Sequence, residues 1–108
     1  AGIEQRRLAR RAVAYLQAHY PDPIARKDIA AFLGVSGDYF ARCFHAETGL
    51  TFRTYLRRYR LQRARQLLLE GNMNITEVAL AVGFSDSNYF TRLFRQELGV
   101  PPSVYRRS

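Results

Sequence analysis

The sequence has a single cysteine, a single methionine and no tryptophan in 108 residues. A lone Cys excludes both an internal disulfide and a Cys-rich zinc site. Long apolar runs are also missing, and none approaches the ~18 residues a membrane span requires. Acidic side chains are scarce: 9 Asp and Glu stand against 17 Lys and Arg, for a formal net charge of +8. Lysine is nearly absent, since sixteen of those 17 cations are Arg. The balance points to a polyanionic partner. Hydrophobic residues make up 47%, too many for a disordered basic tail. A chain this short buries roughly 60–65% of its unfolded surface, which leaves no core for a large internal cavity. It has room for one domain, or for two very small ones sharing a connector. No signal-peptide pattern is present and the chain opens abruptly at Ala1-Gly2, so it reads as a reduced, cytoplasmic fragment of a longer protein.

What is present is a repeat. Residues 28–57 read DIAAFLGVSGDYFARCFHAETGLTFRTYLR, and residues 77–107 read EVALAVGFSDSNYFTRLFRQELGVPPSVYRR. Ala30, Gly34 and Ser36 match Ala79, Gly83 and Ser85 at an offset of 49. Tyr39, Phe40, Arg42, Phe44, Glu47, Gly49 and Tyr55 match Tyr89, Phe90, Arg92, Phe94, Glu97, Gly99 and Tyr105 at an offset of 50. The second copy therefore carries one extra residue between its Gly and its Tyr.

Periodicity and punctuation predict an all-α fold of about seven helices, with no persistent period-two alternation. A first helix over 3–19 sets Ile3, Leu8, Ala12, Val13 and Leu16 mostly on one face, and Tyr20-Pro21-Asp22-Pro23 ends it. A short helix over about 25–33 stops at Gly34, and Ser36 caps another that runs to Thr48. Ala25 stands where a Ser, Thr or Asn cap belongs, an omission worth about 1 kcal/mol. Thr51 caps a long helix from Phe52 to Glu70, which Gly71-Asn72 ends. Asn74 and Glu77 form a capping-box pattern for a helix over about 75–82. Gly83 stops that helix, Ser85 or Asp86 starts the next, and Gly99 ends it. Pro101-Pro102 opens a last short turn through Tyr105.

Each copy is thus helix, Gly-containing turn, helix, with an Ala four residues before the Gly so that the two helices can cross closely. Such a pair projects its second helix from the surface, which suits a major groove. The first unit spans about 25–48, the connecting helix 52–70 and the second unit about 75–98, within one domain over 1–108. In the first unit Phe40, Cys43 and Phe44 face inward, and Asp38, Ala41, Arg42 and His45 face out. In the second, Phe90, Leu93, Phe94 and Leu98 face inward, and Ser87, Asn88, Thr91, Arg92 and Arg95 face out. Arg pairs bidentately with guanine, Asn pairs with adenine, and Thr meets a thymine methyl or a phosphate. A plain solvated face suits Asp38, Ser87 and Thr91 taken singly just as well. Arg42 and Arg92, at one register in both copies, are harder to explain that way.

These stretches resemble the AraC/XylS family of bacterial transcription regulators. The most specific segment runs from Glu77 to Arg95 (EVALAVGFSDSNYFTRLFR) and continues through Leu98-Gly99-Val100-Pro101-Pro102-Ser103-Val104-Tyr105-Arg106. The resemblance, from about Arg11 to Arg107, implies a seven-helix domain in which one monomer carries two helix-turn-helix units. It implies base reading in successive major grooves by Asp38, Ala41, Arg42 and His45 in one unit, and by Ser87, Asn88, Thr91 and Arg92 in the other. Phosphate contacts fall to Arg26, Lys27, Thr76 and Arg95. The first unit departs from the usual pattern: Gly37 and Ala41 replace bulkier or polar readers, and Asp38 turns a negative charge toward DNA. Its main reader is then Arg42. A helix from Phe52 to Glu70 spans about 28 Å at ~1.5 Å per residue, so the two reading helices could lie about one DNA turn apart. Because the outward residues differ, the two half-sites should differ, and no palindrome is needed for one monomer.

Arg60 interrupts the apolar stripe of Leu56, Ala64, Leu67 and Leu68, and is assigned to a structural ion pair or to helix-end carbonyls. Tyr55 and Tyr105 read as packing residues, Cys43 as a buried thiol, and His19 as a surface residue. No catalytic group, metal site or cofactor site is expected, since neither His is spaced with a partner for chemistry. Two other readings compete. A protein-interaction module is opposed, as the sole role, by the charge and the Arg pair. An enzyme such as a base-repair transferase is opposed by a sole Cys on an apolar face. The expected partners are double-stranded DNA and, for an activator, RNA polymerase. A sensor, receiver or ligand-binding domain is expected upstream in the full-length chain, with this fragment monomeric and no membrane involved.

Overall fold

The computed structural model describes residues 2–106. Among them are seven helices and no strand: α1 (Gly2–His19), α2 (Arg26–Leu33), α3 (Gly37–Thr48), α4 (Phe52–Glu70), α5 (Ile75–Ala81), α6 (Ser87–Leu98) and α7 (Pro102–Tyr105). No helix among the described residues is long and apolar enough to cross a membrane.

The helix ends follow local chemistry. Ser36 Oγ accepts from the Tyr39 N–H at 3.1 Å, and Thr51 Oγ1 accepts from the Thr54 N–H at 3.2 Å. Asn74 and Glu77 cap each other reciprocally, both bonds at 2.8 Å. Ala25 has no side-chain oxygen to offer. Half of a box survives there, because the Ala25 N–H donates to Asp28 Oδ2 at 2.9 Å. The sequence left Ser85 and Asp86 as alternatives for the start of α6. Asp86 takes the role, and its Oδ1 accepts from the Asn88 and Tyr89 N–H groups at 2.9 and 3.2 Å. The extra residue of the second copy thus moves the cap from the Ser85 register to Asp86.

The turns inside the two copies close alike. Gly34 and Gly83 both adopt positive φ, at 74° and 107°. The Val35 N–H reaches the Ala30 carbonyl at 3.0 Å, and the Phe84 N–H reaches the Ala79 carbonyl at 2.9 Å. Only a residue without Cβ enters that backbone region at no steric cost. Ala30 and Ala79 are both buried, as a close helix crossing requires.

The chain divides into two compact units, and the division falls inside α4, between Arg57 and Arg58. In the first unit Ala12 and Leu16 of α1 join Ile29, Ala30 and Leu33 of α2, Phe40 and Phe44 of α3, and Phe52 and Leu56 of α4. Burying each Phe or Leu contributes about 1.5–3 kcal/mol. The buried residues of the second unit follow the same plan: Leu61, Ala64 and Leu68 of α4, Val78 and Ala79 of α5, and Phe90, Leu93 and Phe94 of α6. Edge-on aromatic pairs close both cores, Phe44 with Tyr55 at 5.5 Å and Phe94 with Tyr105 at 5.7 Å. The start of α4 and α7 therefore play one part, and Tyr55 and Tyr105 are packing residues.

Two expected inward faces are corrected. Ile3 is exposed, because it lies in the first turn of α1, before the buried stretch from Ala9 to Leu16. In α4 it is Leu61 that is buried and Leu67 that is half-buried. The inward stripe changes register where the helix passes from one unit to the next.

Candidate nucleic-acid interface

In the first unit, the buried side chains of Phe40, Cys43 and Phe44 fix the roll of α3. Asp38, Arg42 and His45 are left exposed, and Ala41 is half-buried. Asp38 does not face outward alone: Arg26 Nη1 lies 3.6 Å from its Oδ1. Gly37 makes room for that guanidinium, since a Cβ at Gly37 would meet Arg26 Nε at 3.2 Å. A groove of about 470 Å³ is lined by Ala25, Arg26, Ala41, Thr51, Phe52 and Arg53. It brings together the first turns of α2 and α4, where unpaired N–H groups carry partial positive charge.

In the second unit, Phe90, Leu93 and Phe94 fix the roll of α6. Asn88, Arg92 and Arg95 are exposed, and Ser87, Thr91 and the inward-facing Leu98 are half-buried. Thr91 Oγ1 donates to the Ser87 carbonyl at 2.9 Å, which leaves its methyl and an acceptor lone pair for contacts. The Arg92 guanidinium sits over the Tyr89 ring, with Cζ 5.4 Å from the centroid. The corresponding Tyr39 behaves differently. Hydrogen bonding to the Cys43 side chain, with the charge that thiol would carry, pushes the Tyr39 phenol up from its ordinary value.

Among the phosphate candidates, Arg26 and Lys27 are exposed in the first turn of α2, and Thr76 is exposed in the first turn of α5. Arg95 lies in the last turn of α6, where it also complements the negative helix end. Arg60 is half-buried, and burial pulls its guanidinium down from its ordinary value. A neighbour on α4, Arg58, pairs with Glu97 of α6 at 3.3 Å. Among the described residues no group of three His, Cys, Asp or Glu could hold a metal ion, and Cys43 is buried.

A family model described as a helix-turn-helix domain matches residues 29–108. The chain belongs to the AraC/XylS family of helix-turn-helix regulators. Over 98 residues it is 34% identical to the regulatory protein PocR of Salmonella typhimurium, a match covering 91% of this chain and 32% of PocR. The chain spans about a third of the length of the curated relatives it matches, 32%, 35% and 33% for three of them. Its fold is similar to that of an AraC-type transcriptional regulator from Chromobacterium violaceum, with 31% identity, a TM-score of 0.89, and coverage of 96% of this chain and 93% of that one. It is also similar to the DNA-binding domain of the global transcriptional factor AdpA in complex with a target DNA, with 28% identity, a TM-score of 0.85, and coverage of 91% and 88%.

Some features of this AraC-type interface escaped the sequence. Arg53 and Thr51 share a groove with Arg26 and Ala41, although 26 and 53 are far apart in the chain. Arg58 of α4 pairs with Glu97 of α6, 39 residues on, a contact that no local spacing signals. Phe32 is exposed, with its ring tilted against Tyr15 at 4.8 Å and the Arg11 guanidinium over it at 5.5 Å. The short range of the Tyr89–Arg92 contact, three residues apart on one helix, was the one signal that could have been found.

Proposed function

We propose that this chain is the sequence-specific, double-stranded DNA-binding domain of a bacterial transcription regulator, with α3 and α6 as its two reading helices. The observation that carries the reading is the pair Arg42 and Arg92. Both are exposed at one register of helices whose opposite faces are buried phenylalanines, in a chain of net charge +8. One monomer then places its reading helices in successive major grooves of a non-palindromic site. Asp38, Ala41, Arg42 and His45 face one half-site, and Ser87, Asn88, Thr91 and Arg92 face the other. Arg26, Lys27, Thr76 and Arg95 hold phosphates, joined by Arg53, which lines one groove with Arg26. Arg60 serves the structure of α4.

The domain does no chemistry. It belongs to a longer cytoplasmic regulator in which a sensor, receiver or ligand-binding domain controls it and RNA polymerase is the second partner; the length of the relatives supports that reading. Alone, this domain is a monomer. The test is binding to a randomised duplex across a salt series. Log affinity should fall against log salt with a slope of about −0.9 for each phosphate neutralised. An affinity independent of salt would contradict the reading.

A further inference from the structure

We propose that Tyr89 is a positioning residue for base recognition: its ring holds the Arg92 guanidinium ready for a guanine edge, and the first unit lacks this device. The inference rests on Arg92 as a base reader. Arg92 Cζ lies 5.4 Å from the Tyr89 centroid, inside the ~6 Å range of a cation–π contact. The ring is itself held. The Tyr89 N–H is bound by the Asp86 cap at 3.2 Å, and Phe84 meets the ring edge-on at 6.2 Å. Phe84 is in turn anchored in the core against Phe90 at 5.3 Å. Yet Tyr89 remains 43% exposed, so the stack is at the surface where a base edge can reach the free side of the guanidinium.

The first copy has the same Tyr and Arg but different neighbours. Val35 stands at the place of Phe84, and Cys43 at the place of Leu93. Where the second copy has the apolar Leu93, the first has the Cys43 thiol, which pushes the Tyr39 phenol up from its ordinary value. Among the described residues, no stack joins Arg42 to Tyr39 as one joins Arg92 to Tyr89. A free Arg side chain loses considerable rotamer freedom on binding, and a pre-placed one loses less. The second unit should therefore discriminate its base more sharply than the first.

The test is selection from randomised duplex DNA with the wild-type chain, followed by competition binding of single-base-pair variants. Arg92→Ala identifies the base pair that Arg92 reads. Tyr89→Leu should then lower discrimination at that pair alone by about 2–5-fold, the range of an exposed cation–π contact, and Tyr89→Phe should keep it. Unchanged discrimination in Tyr89→Leu overturns the proposal, as does an equal loss of affinity for every sequence, which marks a merely structural Tyr. If Arg92→Ala leaves every base preference intact, Arg92 is not a reader and the role of Tyr89 falls with it. Should Tyr89→Leu not fold, side-chain NMR of the wild-type protein decides. Arg92 side-chain protons should be ring-shifted upfield and restricted compared with those of Arg42, and equal shifts and mobility for the two would overturn the stack.

Discussion

At the scale of single residues, the two units solve the same problem with different side chains. Arg42 and Arg92 share a register and exposure, so each should govern one base position. Arg42→Ala and Arg92→Ala are each expected to cost about 1–3 kcal/mol for the preferred base and to relax preference at one position, as competition binding would report. Arg26 is different: it pairs with Asp38 at 3.6 Å, and Gly37 leaves it space. Exposed pairs of this kind contribute little to stability, so the gap at Gly37 bears on where Arg26 points rather than on folding. Gly37→Ala should stabilise α3 by about 0.5–1 kcal/mol in urea unfolding, because Ala is the better helix former and the flexible Arg26 can yield. A destabilised variant would mean that Arg26 cannot move aside. None of this was legible from the sequence, where Asp38 read as a lone negative charge toward DNA. The Arg that meets it is remote in the chain and arrives only when α2 folds back on α3.

At the scale of elements, nearly every helix boundary was readable because caps and stops are local. Gly34, Gly49 and Gly99 adopt positive φ of 74°, 76° and 81°, where sequence placed the stops. Ser36, Thr51 and Asn74 accept the N–H bonds expected of them. For α6 the sequence left Ser85 and Asp86 open, and Asp86 is the N-cap, because the inserted residue lengthens the turn past the Ser85 that aligns with Ser36. The unequal caps of α2 and α5 make a paired prediction. Asn74→Ala should cost about 0.5–2 kcal/mol, and Ala25→Ser should recover about 1 kcal/mol by completing the half-box with Asp28. Denaturant unfolding of the two variants should move the midpoint in opposite directions. The inward face of α4 was less readable. Its stripe serves one core through Phe52 and Leu56 and another through Leu61, Ala64 and Leu68, and no single period describes both.

At the scale of the whole molecule, the repeat is more complete than the matching residues indicate. It includes α1 and the later part of α4 as equivalent first helices, and the start of α4 and α7 as equivalent closing segments. Ala12 with Leu16 and Ala64 with Leu68 are the buried small-large pairs of those first helices, and their flanks are too different for a sequence match. One chain thus carries the same helical plan twice with unlike outward faces, Asp38, Ala41 and His45 on one and Ser87, Asn88 and Thr91 on the other. The measurement that tests this most directly is in-vitro selection from randomised duplex DNA at near-physiological salt, followed by sequencing. The account predicts two unlike boxes about ten base pairs apart, with Arg42→Ala relaxing preference at one position of one box and Arg92→Ala at one position of the other. Two identical boxes, or no enrichment over the starting pool, would contradict it.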